Sequence, residues 1–322
     1  MNEWLYGEDG YYQNFKAIGK SGDFYTAVSS SAFFGASIAN EIFRLITEGT
    51  IPKNTILVEV GAHQGHLLCD MIQWLYTCDA SLVESMSFGI VEKHPKLRIE
   101  QKKYMQERFG DVIEVKFFDD VSKLDSSYAT IVANEILDAF ACDLYKENKI
   151  AEINNHKIFW KEAPKEMIEF AKSHKLKTGE IATGYAEFAN RMANSADNIE
   201  FITFDYGEKY VRNDFSIRIY DEHETLPLFD DKLILKDSYQ KADITFDVNF
   251  THVIDEFVSS GFELVDYETQ ARALVRFGII DLLEQYAKSA TYSHYLREVD
   301  GVKTLISPTI MGDRFKMIHF RK

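Results

Sequence analysis

The chain has 322 residues, 46% hydrophobic and 27% charged, the balance of a folded globular protein and not of a disordered or fibrous one. Its 51 acidic against 36 basic residues give a formal charge of −15, which argues against nucleic acid as partner and favours cationic ligands or basic peptide segments. Three scattered cysteines (Cys69, Cys78, Cys142) with no CxxC pair argue against a disulfide framework or a thiolate zinc site and point to a reducing, cytoplasmic setting.

The first ten residues carry no basic side chain, unlike a secretory signal or a transit peptide. The longest uncharged stretch, around 26–40, contains several serines and is too short and too polar to span a bilayer, so no membrane insertion is expected. Phe34, Ile38, Ile42 and Leu45 recur at helical spacing and predict an amphipathic helix over 31–47. The apolar run at 55–60 suits a strand buried on both faces; a glycine turn and a helix over 66–76 follow. The pattern repeats with a strand at 88–92, a helix opened by Pro95 and running to about 109, and strands at 112–118 and 128–133. Later strands are expected at 200–205, 262–267 and 315–320, the last two as an antiparallel hairpin at the edge. Alternating strands and helices imply βαβ units and a doubly wound, mostly parallel α/β sheet. With no Pro/Gly/Ser-rich linker, one domain over 1–322 is expected: a helical segment at 1–50, a core at 51–140 and 200–322, and insertions at about 141–200 and 208–260.

Ligands of such sheets sit beyond the carboxyl ends of the strands, so the residues that close each strand carry the interest. They are rich in acids: Glu59, Glu92, Asp119, Asp120, Glu135 and Asp205. After the first strand, Gly61 and Gly65 precede a helix whose N-terminal N–H groups favour anionic groups. A dinucleotide-binding G-x-G-x-x-G would need glycine at His63 and His66, which argues against a nicotinamide oxidoreductase. The methyltransferase pattern acid-x-G-x-G-x-G is met at Glu59, Gly61 and Gly65 and missed at His63; an ordinary strand-to-helix turn is the plain alternative. Glu92 can accept both hydroxyls of a ribose, or can pair with Lys93 or Lys96. Glu135 and Asp138 share one face if a helix or turn follows their strand, and two acids there suit a guanidinium; acidic capping of a helix start is equally consistent. The nine histidines form no metal-binding cluster, and no metal site is expected.

The segments G-D-F-Y-T-A (22–27), V-E-V-G-A-H-Q-G (58–65), V-E-K-H-P-K-L (91–97), A-N-E-I-L-D-A (133–139), F-D-Y-G (204–207), D-I-T-F-D-V-N-F (243–250), T-Q-A (269–271) and P-T-I-M-G-D-R-F-K (308–316) occur in this order. Together they resemble the MidA-like, S-adenosylmethionine-dependent methyltransferases, whose mitochondrial members assist assembly of respiratory complex I. The resemblance spans nearly the whole chain. It implies a Rossmann-like class I methyltransferase core with a seven-stranded sheet and family-specific insertions. It also implies S-adenosyl-L-methionine as cofactor and methylation of an arginine in a protein substrate. On this resemblance, Gly61, Gly65 and Glu92 would hold the methionine end and ribose, with Asp119 or Asp120 by the adenine. Gly22, Asp23, Thr26, Asn134 and Glu135 would line the mouth where donor and acceptor meet. Glu135, with Asp138, would be the catalytic carboxylates. The sequence departs from the family at His63, in place of the middle glycine, and at Val28-Ser29, in place of Pro-Glu. His63 motivates the alternative of an assembly or binding factor with a weakened cofactor site. The apolar stretch 269–288 suits core or an interface, so a homodimer is allowed.

Overall fold

The apolar runs become the centre of a sheet because each is shielded on both faces. In a computed structural model, which describes residues 1–13, 26–221 and 224–322, the chain divides into two compact units. The larger unit comprises residues 26–135, 190–205 and 260–322. Its strands are β1 (Ile56–Val60), β2 (Ser87–Val91), β3 (Val115–Phe118), β4 (Ser126–Asn134), β5 (Ala196–Glu208), β6 (Glu263–Thr269) and β7 (Phe315–Arg321). They lie in the order β6-β7-β5-β4-β1-β2-β3. The pairs β4/β5, β4/β1, β1/β2 and β2/β3 are parallel, and β6/β7 is antiparallel. Every residue of β1 is buried, which accounts for its unbroken hydrophobic character. The mostly parallel seven-strand sheet with an antiparallel pair at its edge agrees with the sequence expectation. The pair is not a hairpin, because the helices Gln270–Arg276, Ile279–Ala287 and Tyr292–Ile306 lie between β6 and β7, and β7 lies inside the edge strand β6.

Helices connect the parallel strands. The helix α1 (Phe33–Thr47) buries Phe34, Ile38, Ile42 and Leu45, the stripe read from the sequence. The helix α2 (His66–Cys78) follows β1, and α3 (Pro95–Phe109) follows β2 with Pro95 in its first turn. The stretch 269–288 forms two helices, Gln270–Arg276 and Ile279–Ala287, whose Ala273, Leu274, Ile279 and Leu282 belong to the core.

The smaller unit comprises residues 1–25, 136–189 and 206–259. It contains a four-stranded antiparallel sheet ordered Lys157–Glu162, Lys149–Asn154, Cys142–Lys146, Thr178–Ala182, packed over Tyr145, Ile150, Ala171 and Ile181. A second sheet pairs Arg218–Asp221 antiparallel with both Glu224–Pro227 and Asp243–Thr245. The N-terminal helix Asn2–Tyr6 is tied to this unit by Trp4, whose Nε1 donates to the Ala242 carbonyl at 2.7 Å. No helix among the described residues is long and apolar enough to cross a membrane.

Candidate cofactor and active site

The order of strands reverses between β4 and β1, and their carboxyl ends are level there. Val60 is in register with Ala133 on one side and Val91 on the other. Beyond Val60 the chain needs left-handed backbone at alternate positions: Gly61 (φ 71°), His63 (φ 46°) and Gly65 (φ 82°). Gly61 donates its N–H to the Val91 carbonyl at 3.1 Å, which ties the turn to β2. Gly65 suits its left-handed backbone, and a Cβ there would press on the flexible end of Met105, whose Cε would lie 3.0 Å away. Histidine is accommodated at position 63 because left-handed backbone is open to it and its carbonyl has a firm partner, Gln101 Nε2 at 2.8 Å.

Glu59 is buried within β1 and accepts the Leu68 N–H at 2.9 Å, satisfying a donor in the first turn of α2. Burial pushes its pKa up to about 8, against that hydrogen bond. Glu92, half-buried just past β2, accepts the His94 N–H at 2.8 Å and lies 3.5 Å from Gln101 Nε2. Burial raises its pKa, opposed by these hydrogen bonds. The Glu92 N–H donates to the Phe118 carbonyl at 2.9 Å, joining the loops after β2 and β3. Asp119 follows β3 and is exposed. Asp120 is engaged locally: it accepts from the Ser122 N–H and hydroxyl and pairs with Arg191 at 2.6 Å.

At the end of β4, Asn134 Nδ2 donates to Glu135 Oε1 at 2.9 Å. This fixes the amide so that Oδ1 points the other way, and that oxygen is buried with no hydrogen-bond partner among the described residues. Glu135 has left-handed backbone (φ 53°), donates its N–H to Phe204, and accepts the Ala27 N–H at 3.3 Å. Ala27 opens a short helix, Ala27–Ser30, capped by Thr26, whose hydroxyl accepts the Ser29 N–H at 3.2 Å. Gly22 and Asp23 lie outside the described residues.

One expectation is corrected. No helix follows β4, so Glu135 and Asp138 do not share a helix face; the left-handed turn at Glu135 ends the strand. Asp138 belongs to the smaller unit and accepts the Tyr206 hydroxyl at 2.5 Å, which also lies 2.6 Å from Thr245 Oγ1. Burial pushes its pKa up to about 6, with Tyr206 opposing.

Two features escaped the sequence reading. Gln101 and Met105, four residues apart, are the buried side chains of an otherwise polar α3. A glutamine on the inner face of a helix is the signal, although its partners are separated from it in sequence. Asp70, on α2, is pushed up to about 7 by burial, opposed by Arg108.

A glycine turn at a helix start, a held carboxylate after β2, an exposed acid after β3 and an unpaired buried acceptor after β4 fit an adenosine-containing cofactor with cationic and hydroxyl donors. The strand order with its antiparallel β6/β7 pair is that of the class I methyltransferase fold. A family model described as "Putative S-adenosyl-L-methionine-dependent methyltransferase" matches residues 37–267, and the chain belongs to that family. This agrees with the MidA-like resemblance. Its cofactor is accordingly S-adenosyl-L-methionine, which supplies an electrophilic methyl group when bound. A crystal structure of a protein from Burkholderia thailandensis bound to S-adenosyl-homocysteine is similar, with a TM-score of 0.83 and 22% identity, covering 100% of this chain and 86% of that one. A native structure from the same organism matches with a TM-score of 0.81 and 22% identity, covering 100% and 85%. No curated protein matches the chain.

Proposed function

We propose that the protein methylates an arginine of a protein substrate, with a respiratory complex I subunit as the substrate class that the MidA-like resemblance suggests. The observation that carries this reading is the acceptor-rich end of β4. The buried Asn134 Oδ1 has no donor among the described residues, and the Glu135 carboxylate stands beside it. A guanidinium brings five N–H donors and no acceptor, so it complements such a lining; an anionic nucleophile is repelled by it. The formal charge of −15 works in the same direction at longer range.

In this reading Gly61, His63 and Gly65 offer backbone to the methionine end of the cofactor, Glu92 accepts the ribose hydroxyls, and Asp119 lies near the adenine. Asn134 and Glu135 orient the guanidinium nitrogen and stabilise its charge. Positioning of nucleophile and methyl group then supplies several kcal/mol of the barrier reduction, on the order of what aligned reactants gain. His63 adopts the left-handed backbone that the turn requires, which supports the reading of a working cofactor site over a weakened one.

Incubation of the purified protein with methyl-tritiated S-adenosylmethionine and an extract of cells lacking it tests the reading. The expected result is label in methylarginine after acid hydrolysis. Label confined to methyllysine or to base-labile methyl esters overturns it. Glu135→Gln is expected to bind S-adenosyl-homocysteine as the wild type does and to lose about 100-fold in transfer rate.

A further inference from the structure

The loops proposed to carry the cofactor meet on one buried amide. Gln101 is fully buried on α3, and its single NH2 group lies 2.8 Å from the His63 carbonyl and 3.5 Å from Glu92 Oε2. Both neighbours only accept, so the amino side must face them; a flipped amide would set oxygen against two oxygens. Its Oε1, turned away, is buried without a hydrogen-bond partner among the described residues. An unpaired buried acceptor costs about 1–3 kcal/mol. The arrangement therefore keeps a glutamine where an apolar side chain of the same length would avoid that cost. What the glutamine contributes is two donors aimed at two loops.

We infer that Gln101 is a positioning residue of the cofactor site, holding the His63 carbonyl and the Glu92 carboxylate at a set separation. It rests on the reading of the glycine turn and Glu92 as the cofactor-binding residues. Gln101 touches neither cofactor nor substrate. It fixes the left-handed His63 by its carbonyl, and it joins the His94 N–H in orienting Glu92. The donors also offset the burial that otherwise favours a protonated Glu92, keeping this carboxylate an acceptor for hydroxyls.

The test is isothermal titration of S-adenosyl-homocysteine into wild type, Gln101→Leu and Gln101→Glu at pH 8 and pH 5.5. Gln101→Leu removes the donors at nearly constant volume and should bind about tenfold more weakly at both pH values, the equivalent of one to two hydrogen bonds. Gln101→Glu should bind worst at pH 8, where a carboxylate faces Glu92, and recover toward wild type at pH 5.5, where a neutral acid donates again. A packing role would let Gln101→Leu, of nearly the same volume, bind as the wild type does at both pH values. Binding by Gln101→Leu within twofold of wild type overturns the inference, as does a pH-independent ratio for Gln101→Glu. If Gln101→Leu does not fold, the Gln101→Glu comparison decides alone. Failure of the wild type to bind is a different result, and overturns the cofactor site itself.

Discussion

A histidine at φ 46° carries a backbone cost of about 1 kcal/mol that glycine would not, yet glycine gives the unfolded chain more freedom. The two terms oppose, so His63→Gly should change stability by less than about 0.5 kcal/mol. His63→Val should cost about 1–2 kcal/mol, because a β-branched side chain is poorly tolerated in left-handed backbone. Urea midpoints of the three proteins check both. Glu59 gives a pH dependence with a definite sign. Its folded pKa, about 8, lies above its unfolded value of 4.5, so the folded state binds more protons between them. Stability from this group is therefore full below about pH 4.5 and falls as pH rises to about 8. Glu59→Gln keeps an acceptor for Leu68 but does not ionise. It should match wild type at pH 5 and exceed it at pH 8.5 by on the order of a few kcal/mol; equal stability of the two proteins at pH 8.5 would refute this. The glycine turn and Glu92 were legible in the sequence because left-handed backbone and strand-end acids leave a local mark. Gln101 was not, since its role lies in partners on two other loops.

At the scale of elements, β4, β5 and β7 are joined by one buried carboxylate. Glu200 on β5 is in register with Thr130 on β4, accepts the Tyr128 hydroxyl at 3.1 Å and Arg321 Nε at 2.5 Å, and is hydrogen-bonded to His319. Burial alone would raise its pKa, but His319 and Arg321 hold it below the usual carboxylate value. The stability it contributes is present above its unfolded pKa and is lost as pH falls through the lower folded one. Glu200→Ala strands a buried histidine and removes the partner of the half-exposed Arg321, and should cost about 3 kcal/mol, read as a lowered urea midpoint at pH 7. In the sequence these are three polar residues in apolar strands. The parallel strands themselves were legible, because burial on both faces imposes unbroken apolar runs. The strands at 142–162 and 178–182 were missed. Lys149–Asn154 and Lys157–Glu162 are largely exposed and lack the apolar runs of the central strands.

For the whole molecule, cofactor binding and folding are linked. S-adenosyl-homocysteine at 100 times its Kd should stabilise the wild type by about 2.7 kcal/mol, visible as a rise in Tm. Glu92→Ala at the same ligand concentration should lose most of that rise, and an undiminished rise would remove Glu92 from the cofactor site. The sequence alone determined the alternating core elements, the two late strands that pair antiparallel and the strand-end acids. These are written in short-range patterns: apolar runs, helical spacing and glycines where φ must be positive. Tertiary structure alone decided that Asp120 is engaged with Arg191 and that Asp138 is bound to Tyr206 and not aligned with Glu135 on a helix. It also decided that Asn134 keeps an acceptor unpaired among the described residues and that Gln101 spans the two loops. A hydrogen bond between residues tens of positions apart depends on where the folded backbone places them, and local sequence carries no record of that distance.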